Sequence, residues 1–407
     1  VSSILISKNP NVKGNTSLLP SSKSISNRAL ILNALSGNKS TISNLSTARD
    51  TQLMRALIDS PDKVIDIMDA GTTMRFLTAY FSLTGENKVI TGSERMKQRP
   101  IGLLVNALRE IGVTIHYKEK EGFPPIETAG YNKQIANTVR IPGDVSSQYI
   151  SALMMTAPLL QDGLVIQLEG KIGSRPYIEM TASLMKDFGI PCEFKGNSIH
   201  VPFHAYSPAT IAIEADWSAA SYWFAFVALA ETGEVSLPHV SEQSLQGDRV
   251  VVEVMSKLGV KTQFGTSLTM LTKQPHYTSL DWDFTDCPDL AQTVLPVCAA
   301  KGISGKFKGL ESLRIKETDR IAALQIELVK IGAVLQEEHD GWNLVPGHFS
   351  KIQSIRINTY HDHRMAMGLA PLATLLDLTI ESPEVVNKSY PGFWKDMRAV
   401  GFHTKAV

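Results

Sequence analysis

One local pattern recurs five times along this chain and restricts the fold more than any other feature. An amphipathic run stops at glycine and a β-prone segment follows: Ala107-Leu-Arg-Glu-Ile-Gly112-Val, Leu184-Met-Lys-Asp-Phe-Gly189-Ile, Met255-Ser-Lys-Leu-Gly259-Val, Leu328-Val-Lys-Ile-Gly332-Ala and Met397-Arg-Ala-Val-Gly401-Phe. Glycine suits the left-handed position that ends a helix, and the apolar residues after it start a strand. Successive glycines lie 77, 70, 73 and 69 residues apart. Self-similarity at a near-regular interval indicates one supersecondary unit used several times, and that regularity argues against a chance recurrence of a common helix end.

A weaker sixth copy falls at Met54 to Ser60, where the glycine is missing and a short segment leads into Val64-Ile-Asp-Ile. Arg99-Pro100 precedes Gly112 as Arg175-Pro176 precedes Gly189, and proline is welcome in the first turn of a helix. Each copy has room for two helices and three or four strands, so six copies in two groups of three account for the chain, dividing near Glu214. The length of 407 residues agrees, because about 100 to 200 residues per domain gives two domains. A closed solenoid is disfavoured, since its repeats usually run to roughly 20 to 50 residues.

Forty Lys and Arg balance forty Asp and Glu. A diffuse electrostatic grip on nucleic acid or an anionic membrane is therefore not encoded, and any anion site must be built locally. Cys192, Cys287 and Cys298 form no C-x-x-C pair, which fits a reducing cytosol and core thiols. No apolar run reaches about 18 residues, Val1 to Leu19 lacks a signal layout, and Ala219 to Ala230 reads as a buried helix.

The chemistry-bearing residues gather at helix starts. Lys23-Ser-Ile-Ser-Asn-Arg28 opens an apolar run, Ala29 to Leu35; Ser24 and Arg28 share a face, with Lys23 beside the free backbone N–H groups. Hydroxyl, cation and helix dipole can meet one phosphate there, although an ordinary capped surface helix looks the same. The design recurs at Asp69-Ala-Gly71-Thr72-Thr73-Met-Arg75 before Phe76 to Leu83, and at Ser146-Ser147-Gln148 before Tyr149 to Leu160. Further starts carry Asp289, Lys316-Glu317-Thr-Asp-Arg320 and Asp362-His363-Arg364. So many starts rich in Arg, Lys, Ser and Thr suggest one cleft for polyanions.

Gly37-Asn-Lys39-Ser40-Thr41 lacks the first glycine of a P-loop and follows a helix, which argues against a kinase. His361-Asp-His363 has no third His or Cys at ligand spacing, and Arg364 opposes a cation, so no metal is expected. His363 reads instead as a hydrogen-bonding or acid-base group, with a structural helix cap as the alternative.

Together these segments resemble the 5-enolpyruvylshikimate-3-phosphate synthase family of enolpyruvyl transferases. The resemblance runs from Lys23 to Lys388 on Lys23-Ser24 with Arg28, Asp69-Ala-Gly-Thr72, Arg95-Met-Lys-Gln-Arg-Pro100, Ser146-Ser-Gln148, Ser174-Arg-Pro-Tyr177, Pro288-Asp289, Arg314-Ile-Lys-Glu-Thr-Asp-Arg320, Asp362-His-Arg-Met-Ala-Met367 and Lys388. It implies an α/β (α+β) fold: a two-domain inside-out α/β barrel, each domain three βαβαββ-type repeats with buried parallel helices, closing like jaws on substrate. The upper domain would span 19–214 and a discontinuous lower domain 1–18 plus 215–407. Ser21-Ser22-Lys23 departs from the family, which usually has a glycine in that turn.

The resemblance implies transfer of the enolpyruvyl (1-carboxyvinyl) group of phosphoenolpyruvate to the 5-hydroxyl of shikimate 3-phosphate, a step of the shikimate pathway to chorismate and aromatic amino acids. No cofactor is implied, and the family enzyme is a cytoplasmic monomer with small-molecule substrates, no nucleic acid and no membrane. By resemblance, Lys23, Ser24, Arg28, Ser146, Ser147, Ser174, Tyr177, Asp289, Ser312 and Lys316 hold shikimate 3-phosphate. Lys23, Gly71, Arg95, Gln148, Arg320, Arg364 and Lys388 hold phosphoenolpyruvate, with Asp69, Thr72 and His363 in support. Addition then elimination needs an acid and a base that trade roles: Glu317 for the C3 proton and Asp289 for the hydroxyl proton, assisted by Lys23. Family analogy also implies that glyphosate competes with phosphoenolpyruvate beside Gly71.

Two other readings stand beside this one. UDP-N-acetylglucosamine enolpyruvyl transferase has the same architecture but uses a loop cysteine, and no cysteine precedes Cys192 here. A non-catalytic repeat protein binding phosphorylated ligands would not need Asp289 and Glu317.

Overall fold

All five glycines that end the repeated pattern have positive φ, from 79° at Gly332 to 114° at Gly112. At each one a helix finishes one to three residues earlier and a strand begins one to four residues later. The left-handed step turns the chain back from the helix onto a sheet, as the sequence pattern requires.

The computed structural model describes residues 2–347 and 352–407, and these form two units. An inserted unit, Lys23–Ile213, holds helices α1 (Lys23–Leu35), α2 (Arg49–Ile58), α3 (Gly71–Thr84), α4 (Gly102–Ile111), α5 (Ser147–Thr156) and α6 (Arg175–Asp187). A terminal unit, made of residues 2–22 and Glu214–Val407, holds α7 (Trp217–Leu229), α8 (Val251–Lys257), α9 (Ala291–Lys301), α10 (Arg320–Val329), α11 (His363–Leu369) and α12 (Phe393–Ala399). Leu19–Ser22 belong to the terminal unit, where Ser21 bridges Ala215 and the Ser22 N–H donates to the Glu214 carbonyl at 2.8 Å.

The inserted unit repeats βαβαββ twice. Val64–Asp66, α3, Val89–Thr91, α4, Val113–Tyr117 and Ile126–Tyr131 make one four-stranded sheet; Thr138–Pro142, α5, Leu164–Glu169, α6, Glu193–Lys195 and Ser198–Val201 make the next. In both, the first two strands are parallel and the closing hairpin is antiparallel. The third sheet has only Thr41–Ser43 and Thr210–Ala212, because α2 is followed by five residues and then the next repeat. This is the weak sixth copy: with no hairpin to enter, its helix has no use for the terminal glycine.

The terminal unit carries three complete sheets. One is Trp282–Asp283, Gly305–Lys308, Val334–Glu338 and Gly341–Val345. A second joins Ser354–Ile357, Asp377–Glu381 and Thr404–Ala406 to the N-terminal strand Ser3–Ile6; the third joins Asn11–Asn15 to Thr232–Pro238, Val260–Phe264 and Leu268–Lys273. The fold is α/β throughout. Among the described residues the six sheets stay separate and do not close into a continuous hydrogen-bonded barrel.

The two helices of a repeat differ in kind. The first (α1, α3, α5, α7, α9, α11) is buried almost all round and packs on other such helices, whereas the second is amphipathic with one exposed face. In α7, Trp217, Tyr222, Trp223, Phe224 and Phe226 are all at most 1% exposed, which accounts for the long apolar run in the sequence. Within each unit, polar residues at the starts of these helices therefore stand at the ends of buried apolar helices packed on one another.

Candidate active site

In the inserted unit the first turn of α1 sets the Lys23 ammonium 3.1 Å from Asp50, a buried carboxylate in the first turn of α2. One turn on, Arg28 is 2% exposed. Its Nε donates to Thr181 Oγ1 at 2.7 Å, one Nη to Ser151 Oγ at 2.9 Å and the other to the Ser24 carbonyl at 3.0 Å. The Phe76 and Tyr177 rings lie 5.4 and 6.0 Å from its guanidinium carbon. Burial draws its pKa down to about 10, which still leaves it charged at neutral pH. One cation thus joins α1, α3, α5 and α6.

A second group forms where α3 begins. Arg75 donates to the Gly71 carbonyl at 3.1 Å and to the Pro100 carbonyl at 2.8 Å, and stacks over Tyr149, whose hydroxyl also donates to Pro100. This brace seats the Arg99-Pro100 turn on the helix start. A Cβ added to Gly71 would come within 2.7 Å of both terminal nitrogens of Arg99. Gln148 Nε2 donates to Thr72 Oγ1 at 3.0 Å, and Ser146 caps α5 by accepting from the Gln148 N–H. Ser147 is buried, Ser174 takes a left-handed φ of 53° before α6, and Asp69 pairs with Arg49.

The terminal unit holds a denser cluster. Arg320, 2% exposed, donates through Nε to Asp362 at 2.7 Å and through its two Nη atoms to Asp289 and Glu317, each at 2.9 Å. Arg364 donates to the other oxygen of Asp289 at 2.7 Å and to Ser218 Oγ at 3.2 Å. Lys388, also buried, lies 3.1 Å from the second oxygen of Glu317. Asp319 and Asp362 cap α10 and α11 by accepting from backbone N–H groups, so the two arginines project from rigid helix starts. His363 is buried on α11.

Electrostatics here favour the charged form of Asp289 and the neutral form of Asp248. Burial works to raise the Asp289 pKa, but Arg364, Lys316 and Arg320 outweigh it and hold the carboxyl well below its usual range. Behind it Asp248 is almost fully buried and accepts from Ser218 Oγ; burial, then the Asp289 charge, push its pKa up to about 7.

Within the terminal unit the structure brings together Asp289, Glu317, Arg320, Arg364 and Lys388, with Lys316 acting on Asp289; Ser312 is half-buried in the short helix Glu311–Ile315. Within the inserted unit it links Lys23, Ser24, Arg28 and Tyr177 around α1, and Gly71, Thr72, Gln148 and Ser146 at the starts of α3 and α5. Arg95 is half-buried beside the short helix Met96–Gln98, and it is Arg99 that lies against Gly71. Asp50 and Asp248 were not among the expected site residues, while Arg99 and Asp362 stood in motifs that carry the resemblance without a role assigned to them. The proline after Arg99, which fixes a turn, was the available signal for that residue.

The chain matches the family model described as EPSP synthase (3-phosphoshikimate 1-carboxyvinyltransferase) over residues 6–60 and 55–397. The chain belongs to the EPSP synthase family. It is 47% identical over 391 residues to a 3-phosphoshikimate 1-carboxyvinyltransferase of Bacteroides fragilis, covering 95% of each chain. A Shewanella pealeana protein of the same name is 33% identical, covering 94% of this chain and 96% of its own. The solved EPSP synthase of Acinetobacter baumannii superposes over the whole of both chains with a TM-score of 0.77 at 18% identity, a likeness of fold. In this EPSP synthase-family chain the charged groups therefore sit on a scaffold shared far beyond recognisable sequence.

Proposed function

We infer that this protein transfers the enolpyruvyl group of phosphoenolpyruvate to the 5-hydroxyl of shikimate 3-phosphate, releasing inorganic phosphate. The observation that carries the reading is the arrangement around Arg320, in which two acids, Asp289 and Glu317, share this buried cation and each takes a second one, Arg364 for Asp289 and Lys388 for Glu317. Both substrates are polyanions, and fixed cations replace the water each must lose. The family match supports the same reading.

Lys23, Ser24, Arg28, Ser146, Ser147, Ser174, Tyr177, Asp289, Ser312 and Lys316 are assigned to shikimate 3-phosphate. Lys23, Gly71, Arg95, Gln148, Arg320, Arg364 and Lys388 are assigned to phosphoenolpyruvate, and Arg99 joins them because its guanidinium abuts Gly71. Asp69, Thr72 and His363 support these groups. In the addition step the 5-hydroxyl oxygen bonds to C2 while its proton leaves to a base, and C3 takes a proton from an acid. In the elimination step C3 returns a proton and the C2–O bond to phosphate breaks.

Asp289 is assigned the hydroxyl proton and Glu317 the C3 proton, with Lys23 assisting. Asp289 bound to two guanidiniums is a weak base. A phosphoenolpyruvate anion competes with it for Arg320 and Arg364, and each cation it gives up raises its basicity. Glu317 lies between Arg320 and Lys388.

By the family resemblance we assign the reaction to the cytoplasm and take the protein to act as a monomer. The UDP-N-acetylglucosamine reading has no comparable support, since Cys287 and Cys298 are buried and Cys192 is half-buried, with burial pushing its thiol up to about 12. The test is phosphate release from phosphoenolpyruvate with shikimate 3-phosphate against UDP-N-acetylglucosamine as acceptor. Release with the sugar nucleotide alone would refute the assignment.

A further inference from the structure

Thr359–Asp362 close a tight turn, with the Asp362 N–H donating to the Thr359 carbonyl at 2.8 Å. Its central residues, Tyr360 and His361, both have left-handed φ, 52° and 57°. That combination belongs to the type I′ turn, which ordinarily takes Gly, Asn or Asp because a larger side chain is strained there. A tyrosine and a histidine in succession need something outside the turn to hold them, and such strain persists only where the surroundings over-determine it.

The restraint comes from α10. Tyr360 Oη donates to Glu327 Oε1 at 2.8 Å, and the Tyr360 N–H donates to Asn358 Oδ1 at 2.8 Å. Glu327 is fully buried and ion-paired with Lys330 at 2.7 Å, and Lys330 also donates to the Arg356 carbonyl just before the turn. A buried carboxylate is a poor way to gain stability, so its presence asks for another explanation. Glu327 stands seven residues after Arg320, two helical turns along the same face. Helix α10 thus grips the 359–364 segment at two points, Glu327 on Tyr360 and Arg320 on Asp362.

The hand of the turn sets the course of the chain beyond it. Asp362 must face back to accept from the Arg364 N–H at 2.9 Å and from Arg320, and Arg364 must then reach Asp289. We propose that Glu327 and Tyr360 are positioning residues: their hydrogen bond holds the 359–362 turn left-handed and so aims Asp362 and Arg364 at the reacting anion. The inference rests on the assignment of Arg320 and Arg364 to phosphoenolpyruvate.

The test compares Tyr360→Phe, Glu327→Met, the double variant and Glu327→Gln. Measured are kcat, KM for each substrate, and amide hydrogen exchange across residues 359–366 in the free enzyme. Each of the first two should raise KM for phosphoenolpyruvate about tenfold, leave KM for shikimate 3-phosphate within about twofold, and speed exchange at Arg364 and Ala366. The double variant should be no worse than the worse single one, because removing both partners leaves no orphan. Glu327→Gln keeps an acceptor for the tyrosine and should stay within about twofold of the parent. Unchanged exchange in Tyr360→Phe would overturn the clamp. Faster exchange with an unchanged KM for phosphoenolpyruvate would overturn the link to the reaction but leave the assignment of the two arginines standing, which falls only if Arg320→Lys and Arg364→Lys also leave that KM unchanged.

Discussion

The guanidinium of Arg99 occupies the space that a side chain on Gly71 would need, so that a Cβ there would fall 2.7 Å from both of its terminal nitrogens. Gly71 is not in a left-handed conformation, and its lack of a side chain serves proximity alone. Alanine is a good residue for a helix start, so Gly71→Ala should fold normally and displace the flexible end of Arg99. Steady-state kinetics should then show KM for phosphoenolpyruvate raised about tenfold, equivalent to about 1.4 kcal/mol, with little change for shikimate 3-phosphate. Equal effects on both substrates would remove Arg99 and Gly71 from the phosphoenolpyruvate site.

Asp289 and Glu317 both accept from Arg320, and each has a further cation, Arg364 for the first and Lys388 for the second. Asp289→Asn and Glu317→Gln keep the shape of the side chains and remove the proton-transfer group. Turnover in each should fall by about 10² to 10⁴, the usual worth of general acid-base catalysis, while calorimetric binding of shikimate 3-phosphate persists. Retention of most phosphate release by both variants would end the acid-base assignment.

Arg28 shows how much of this site could be read from the chain and where reading stopped. Its place four residues after Ser24, at a helix start, marked it as an anion ligand, and so it was with Arg320 and Arg364. The five terminal glycines likewise announced the helix-to-strand turns, because a left-handed φ is a local requirement with a local signature. The partners of these cations have no such signature. Asp50 is an ordinary acid in sequence, and its pairing with Lys23 arises only when α2 packs beside the start of α1. Asp362 is legible as a helix cap, but its bond to Arg320 arises only when α11 packs beside α10. Asp248, in the turn Gly247–Val250, meets the Ser218 hydroxyl only when that turn packs on α7. Arg95 and Arg99 differ in the same way: four residues apart in one basic run, they are separated by which one the Arg75 brace turns toward Gly71.

The packing of Arg28 yields a sharper test than its charge. Two hydrogen bonds from one edge of the guanidinium, to the Thr181 and Ser151 hydroxyls that lie 2.8 Å from each other, and two flanking rings require a planar fork. Arg28→Lys keeps the charge but cannot make both bonds, leaving buried hydroxyls short of a donor at a cost of about 1 to 3 kcal/mol. The expected result is a lower unfolding temperature together with at least about a tenfold rise in KM for shikimate 3-phosphate. A lysine variant indistinguishable from the parent in both would show that only the charge matters.

Asp248 predicts a pH effect on stability with a definite sign. Burial, and then the Asp289 charge, raise its folded pKa to about 7, against about 3.9 in an unfolded chain. Between these values the folded protein binds a proton that the unfolded chain has lost. The contribution of this group is therefore fully present below about pH 4 and declines as pH rises toward 7, by at most about 1.4 kcal/mol per pH unit. Asp248→Asn keeps an acceptor for Ser218 and cannot ionise, so urea midpoints of the variant should gain on those of the parent as pH rises from 4.5 to 7.5. Arg364 sits between the two acids through Ser218 and Asp289, so the parent's pH-rate profile should carry an inflection near 7 that the variant lacks. Parallel midpoints across that range, with the inflection intact, would mean that Asp248 is ionised throughout and that the polar chain behind Asp289 does not hold a proton.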